Sequence, residues 1–291
     1  MNITEGEMLE KKPKDLDLKQ LWKDRFHPNR YTLDDRFVLL DGKTHPFTVI
    51  CPGGAYQTVC SFIEGTPFAR RLNEQGISAF IVYYRVRGKA QYPHPQEDLA
   101  RAVREILSRA GKYHLDVENY SVWGSSAGGH LAASFGTENM GYHQYSLPKP
   151  RAVVLVYPVI SMDGALTHDQ THDNLLGKQA TAAMEVFTSV EKNVTADYPP
   201  TYLWCGEADA LVNPENTRRM AAALKAAGVP YRCEIFPGVD HGVGLGTGTA
   251  AEGWIERAVE FWREQTTVDK KNEDEFMKTV DAVRNKEGQI L

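Results

Sequence analysis

The sequence predicts an α/β fold: a mostly parallel central sheet with helices on both faces. Two observations carry this. Short apolar segments rich in β-branched residues alternate with amphipathic helical segments along most of the 291 residues. The glycine-rich and chemically suggestive segments fall just after the apolar ones, where parallel sheets place their sites. A chain of this length can bury one large core.

The elements follow in order. Phe47 to Cys51 is a short apolar strand running into Pro52-Gly53-Gly54, and Thr66 to Gln75 is a helix closed by Gly76. Ile77 to Val86 has the β-branched and aromatic content of a buried strand. In the next segment Leu99, Ala102, Val103, Ile106 and Leu107 share one helical face, with Arg101, Arg104 and Glu105 opposite. Tyr120 to Trp123 is a strand and Ala127 to Phe135 a helix; Ala152 to Tyr157, Tyr202 to Cys205 and Tyr231 to Phe236 are further strands. Helices are predicted at about 214–227 and 252–264, the latter with Trp254, Ile255, Ala258 and Trp262 on one face.

Three segments stand outside this alternation. Residues 1–35 are polar with scattered aromatics and read as an N-terminal extension of the domain at 36–267. Residues 161–199 interrupt the strands as a small lid-like insertion, with one helix expected from Ala180 to Val190. Residues 268–291 form a charged tail in which Phe276, Met277, Val280 and Val283 could give a docking helix.

Composition narrows the function classes. Hydrophobic residues are 42% and charged residues 24%, ordinary for a globular chain, and a net charge of −5 offers no basic field for nucleic acid. The first residues lack a secretory signal, and the longest apolar run, Ala152 to Ile160, is too short to span a bilayer. A cytoplasmic protein without a membrane partner is therefore expected, and a homo-oligomer is compatible with the sequence. Cys51, Cys60, Cys205 and Cys233 have neither CxxC nor zinc spacing and read as reduced thiols, so no metal or other cofactor is expected.

The chemistry centres on Gly124-Ser125-Ser126-Ala127-Gly128. Only Ser126 is the central serine of a G-x-S-x-G pattern, which needs small flanking residues because the serine sits on a sharp strand-to-helix turn. His130, within the following helix, reads as structural. The small residues of Pro52-Gly53-Gly54-Ala55 would let backbone N–H groups approach a developing oxyanion, and the N–H of Ala127 is the expected second donor. Cys51 reads as the buried end of its strand.

A serine hydroxyl needs a histidine to take its proton, and the histidine needs an acid to hold its tautomer. His241 follows the last predicted strand in a glycine-containing loop, whereas His143, His168 and His172 lie in or before the insertion. The acid belongs after the preceding strand, where Asp209 is preferred and Glu207 is the local rival. Asp240 adjoins the histidine and is poorly placed to face its ring.

These residues resemble the esterase/lipase branch of the α/β-hydrolases that includes acetylxylan esterases. The likeness runs from about Thr44 to Trp262 and takes in Pro52-Gly53-Gly54-Ala55-Tyr56, Glu64-Gly65-x-Pro67-x-Ala69 and the Ser126 segment. It continues through Asn174-Leu175-Leu176-Gly177, Val194-Thr195, Pro199 to Trp204, Gly206 to Asn216 and Asp240-His241-Gly242. The resemblance implies an α/β-hydrolase fold, a triad of Ser126, Asp209 and His241, and Gly54, Ala55 and Ala127 around the oxyanion. It further implies short acyl esters, acetyl groups on sugars or oligosaccharides, as substrates without a metal. Ala55 stands where the family's loop has a third glycine, and Cys205 stands where a histidine is common. An amidase or peptidase on the same scaffold, and a non-catalytic ligand-binding hydrolase fold, are the competing readings.

Overall fold

The computed structural model describes residues 29–266. Its strands are β1 (Thr32–Phe37), β2 (His45–Cys51), β3 (Ser78–Tyr83), β4 (Leu115–Ser125), β5 (Ala152–Val156), β6 (Thr201–Gly206) and β7 (Tyr231–Phe236). They form one sheet in the order β1-β3-β2-β4-β5-β6-β7. Every pairing is parallel except that of β1 with β3. Residues 32–35 therefore correct the expected extension at 1–35, because they belong to the edge of the sheet. An edge strand pairs on one side only and stays half wet, so the polar sequence TLDDRF can take this place. Its one buried charge, Asp34, is met by the Arg36 guanidinium through two contacts of 2.8 Å.

Between the strands run α1 (Ser61–Glu64), α2 (Thr66–Asn73), α3 (His94–Ser108), α4 (Ala110–Tyr113), α5 (Ser126–Phe135), α6 (Asp169–Leu176), α7 (Ala182–Thr188) and α8 (Glu215–Ala226). A last helix, α9, is described over residues 254–266. From β2 to β3 the chain steps toward the β1 edge, whereas every later crossover steps the other way. Right-handed connections therefore put α2 on one face and α3, α5 and α8 on the other. α9 joins α2, with Phe68 edge-on to Trp254 at 5.1 Å.

The core is continuous from the helices to the upper end of the sheet. Trp254 packs against Trp123 of β4 and Trp204 of β6 at 5.9 and 5.5 Å, and Trp204 is edge-on to Tyr157 at 5.1 Å. Burying each such side chain contributes about 1.5–3 kcal/mol or more. α3 buries Leu99, Ala102, Val103 and Ile106, the face predicted from its spacing.

The insertion between β5 and β6 differs from expectation. The helix expected from Ala180 to Val190 is shorter: α7 starts after Thr181, whose hydroxyl caps the Met184 N–H at 3.3 Å, and a separate 3-10 turn covers Val190–Lys192. α6 was not foreseen, because Asp169–Leu176 is mostly polar and buries only Thr171, Leu175 and Leu176. The four cysteines are free thiols. The charged tail at 268–291, with its expected docking helix, lies outside the described residues. Among the described residues no helix is long and apolar enough to cross a membrane.

Candidate active site

The strand order reverses direction between β2 and β4, which lie side by side with Cys51 opposite Gly124. A crevice opens outside the carboxyl ends of strands at such a switch point. The two segments that leave these strands are the Pro52 loop and the Ser126 turn.

β4 ends at Ser125 and α5 begins at Ser126, so the reversal falls on one residue with φ +53°. Such a left-handed turn needs its neighbours stripped of side chains. A Cβ on Gly124 would stand 2.0 Å from the Gly128 carbonyl oxygen, and one on Gly128 would stand 2.1 Å from that of Cys51. The turn leaves Ser126 slightly exposed, at 7%, in otherwise buried surroundings.

The loops after β6 and β7 converge on this serine. His241 Nε2 lies 2.9 Å from Ser126 Oγ, and His241 Nδ1 lies 2.7 Å from Asp209 Oδ2. A carboxylate only accepts, so the ring proton sits on Nδ1 and Nε2 is left to accept from the serine hydroxyl. Asp209 is buried, and its other oxygen accepts the N–H groups of Leu211 and Val212 at 3.0 and 2.8 Å. Glu207, the rival acid, is exposed. Asp240 faces backbone rather than the imidazole: it accepts the N–H of His241 at 2.7 Å and of Ala210 at 3.3 Å. Those two bonds hold its carboxyl below the usual range and tie the two loops together.

The Pro52 loop closes the other side. A Cβ on Gly53 would lie 2.8 Å from Ser126 Cβ. Gly54, Ala55 and Tyr56 have φ of +126°, +54° and +54°, so the backbone curls there. The Gly54 carbonyl accepts from Gln57 and Thr58, and the Gly53 carbonyl from Cys60. The N–H groups of Gly54, Ala55 and Ala127 have no acceptor among the described residues. Free amides around the serine are what an oxyanion requires.

Other candidates fall elsewhere. His130 is wholly buried; its Nδ1 meets the Tyr56 hydroxyl at 2.9 Å and its Nε2 the Thr188 carbonyl at 2.8 Å. Burial pushes it down to about 4, which keeps it neutral. His172 lies 3.1 Å from Glu185, and His143 is exposed. His168 meets the Thr171 hydroxyl at 2.8 Å and is lowered first by burial and then by the charge of His241. Cys51 is buried, which pushes its thiol up. Among the described residues no three His, Cys, Asp or Glu side chains group to hold a metal.

Two residues at the site have no role in the sequence reading, although Glu64 opens one of the motifs that carry the resemblance. Glu64 is buried, and its carboxylate takes the Gly53 N–H at 2.6 Å and the Tyr157 hydroxyl at 2.9 Å. Tyr157 has φ +37°, and its ring centroid is 4.7 Å from that of His241. Its position directly after β5, at the carboxyl end of a central strand, was the available signal.

A parallel sheet with a serine on a strained strand-to-helix turn, followed along the chain by a carboxylate and a histidine within reach, defines an α/β-hydrolase. The chain belongs to the BD-FAE family, which matches residues 40–224. It is 33% identical over 75% of its length to endo-1,4-beta-xylanase B of Butyrivibrio fibrisolvens, and 30% identical over 67% to an acetylxylan esterase of Xylanibacter ruminicola. It spans only 35% and 40% of the lengths of those two relatives. An acetyl ester-xyloside bifunctional hydrolase from Caldicellulosiruptor lactoaceticus has the same fold, with a TM-score of 0.72 and 30% identity over 90% of this chain and 95% of that one.

Proposed function

We propose that this protein is a serine esterase that removes short acyl groups, acetyl foremost, from xylan-derived or other sugars. The observation that carries the reading is the unbroken contact chain from Ser126 Oγ through His241 to Asp209. The names of the relatives, an acetylxylan esterase and an acetyl ester-xyloside hydrolase among them, support ester cleavage and a carbohydrate alcohol.

In the proposed reaction Ser126 Oγ attacks the acyl carbon while its proton passes to His241 Nε2. The charge that develops on the carbonyl oxygen is met by the N–H groups of Gly54, Ala55 and Ala127, each such donor lowering the barrier by about 3 kcal/mol. The tetrahedral adduct collapses, His241 returns the proton to the leaving alcohol, and an acyl-Ser126 ester remains. Water then attacks this ester and gives its proton to His241; collapse frees the acid and restores the serine hydroxyl. Asp209 holds the imidazole and faces the imidazolium in both halves.

Hydrolysis of a short-chain aryl acetate by the purified protein tests this. Ser126→Ala should cut kcat by about 10⁴-fold or more, and Asp209→Asn by about the same order. Glu207→Gln should stay within about threefold of wild type, since surface changes have small effects. Equal activity in wild type and Ser126→Ala would end the serine reading. Acetylated xylo-oligosaccharides set against simple acetates test the carbohydrate preference.

A further inference from the structure

We propose that Glu64 is a positioning residue for this site: one buried carboxylate that, through Tyr157, locks the oxyanion loop to the His241 loop and adds a further negative charge near the imidazole. The proposal rests on the reading of Ser126 and His241 given above.

A carboxylate at 5% exposure has lost its water and survives only where donors replace it. Here each oxygen has one. The Gly53 N–H meets Oε2 at 2.6 Å, and the Tyr157 hydroxyl meets Oε1 at 2.9 Å. The Tyr157 oxygen itself accepts the Gly244 N–H at 3.2 Å, so its own proton is directed at Glu64. The loops leaving β2 and β5 thus meet at a single side chain, and the loop leaving β7 joins them through Tyr157. Burial raises the Glu64 carboxyl, while the two donors and His241 oppose that rise.

The arrangement has two consequences for the reaction. Anchoring the Gly53 amide restrains the peptide planes of the loop, in which the N–H groups of Gly54 and Ala55 have no acceptor among the described residues. Anchoring Tyr157 and Gly244 fixes the surface on which the His241 ring rests. The groups around His241 are Asp209 from the β6 loop and the Tyr157 ring in contact with it, Asp240 on its own backbone, Glu64 of α1 behind Tyr157, and His168 of the insertion, which interacts with it through charge alone. Of these, Asp209, Asp240 and Glu64 are carboxylates, whose negative charge attracts a proton on the ring.

The test is Glu64→Gln in the full chain, assayed on a short-chain aryl acetate across a range of pH. A glutamine amide turned either way deprives one of the two donors of its acceptor. The expected result is a kcat lower by about 10- to 100-fold with KM within about threefold, the signature of misplaced reacting groups. The acid limb of kcat/KM should move to lower pH by about half a unit or more, because a negative charge near the imidazole is gone. A packing role alone would leave that limb in place. An unchanged kcat, or a loss of activity with the acid limb unmoved, overturns the proposal.

Should Glu64→Gln fail to fold, Tyr157→Phe carries the test. It keeps the carboxylate and its Gly53 contact but removes the donor to the other carboxylate oxygen and releases the Gly244 N–H, and kcat should fall by about fivefold to a hundredfold, the value of two hydrogen bonds. Wild-type kcat in Tyr157→Phe then overturns the role. Ser126→Ala run alongside separates the two ideas. Activity retained in Ser126→Ala defeats the serine reading, whereas activity lost there and kept in Glu64→Gln defeats the Glu64 role alone.

Discussion

At φ +53° Ser126 holds a backbone conformation that an L side chain enters at a cost of about 1–2 kcal/mol. The strain therefore sits at the residue that the proposed reaction uses as its nucleophile. Glycine does not feel that penalty. Among variants lacking the hydroxyl, Ser126→Gly should be more stable than Ser126→Ala by about 1 kcal/mol in denaturant unfolding, with both inactive. A reversed order would mean that the turn is relaxed in solution. That Ser126, Asp209 and His241 come together was legible in the sequence, because the proposed chemistry demands fixed residue types in a fixed chain order after predicted strands. The place of Glu64 was not. It opens the Glu64-Gly65-x-Pro67-x-Ala69 motif of the resemblance, but nothing local announces that a four-residue helix turns it inward while Phe62 stays 76% exposed.

α5 is the element on which the insertion rests. All ten of its residues are buried, and His130 bridges from it to Tyr56 on one side and to the Thr188 carbonyl at the end of α7 on the other. The ring is held neutral, with its folded-state value lowered by burial to about 4. The unfolded chain thus binds a proton first as pH falls. The stability this histidine allows is complete above about pH 6.5 and is lost progressively down to about 4, amounting to roughly 3 kcal/mol at most. Urea unfolding at stepped pH should show that slope in wild type and a flatter one in His130→Gln; parallel curves would show that His130 takes no part. The structural role of His130 could be read from its place in the helix, but its partners could not, since both come from distant segments. Helical spacing likewise revealed α3 and α9, which bury broad apolar faces. It could not reveal β1 or α6, whose few buried positions leave no period to detect.

At the scale of the whole molecule, the parallel sheet with helices on both faces was legible from alternation alone. Its strand order was not, and that order is what brings the Pro52 loop beside Ser126. The tryptophan stack reaches the same place from below. Trp254 of α9 donates its Nε1–H to the Gly244 carbonyl at 3.0 Å, so the loop bearing His241 is fastened to the core as well as to Tyr157. The insertion is fastened too. Asn174 of α6 donates to the Ala55 carbonyl at 2.8 Å, the Leu175 carbonyl takes the Tyr92 N–H at 2.8 Å, and Asn216 of α8 accepts the N–H groups of Ile160 and Ser161 at 3.0 Å each. Swinging the insertion away from the Pro52 loop would break the Asn174 to Ala55 bond, so the insertion is expected to stay in place while substrate enters. Turnover should then be indifferent to solvent viscosity: kcat measured in rising sucrose should stay flat, where a gated enzyme slows in proportion as its moving part drags through the solvent.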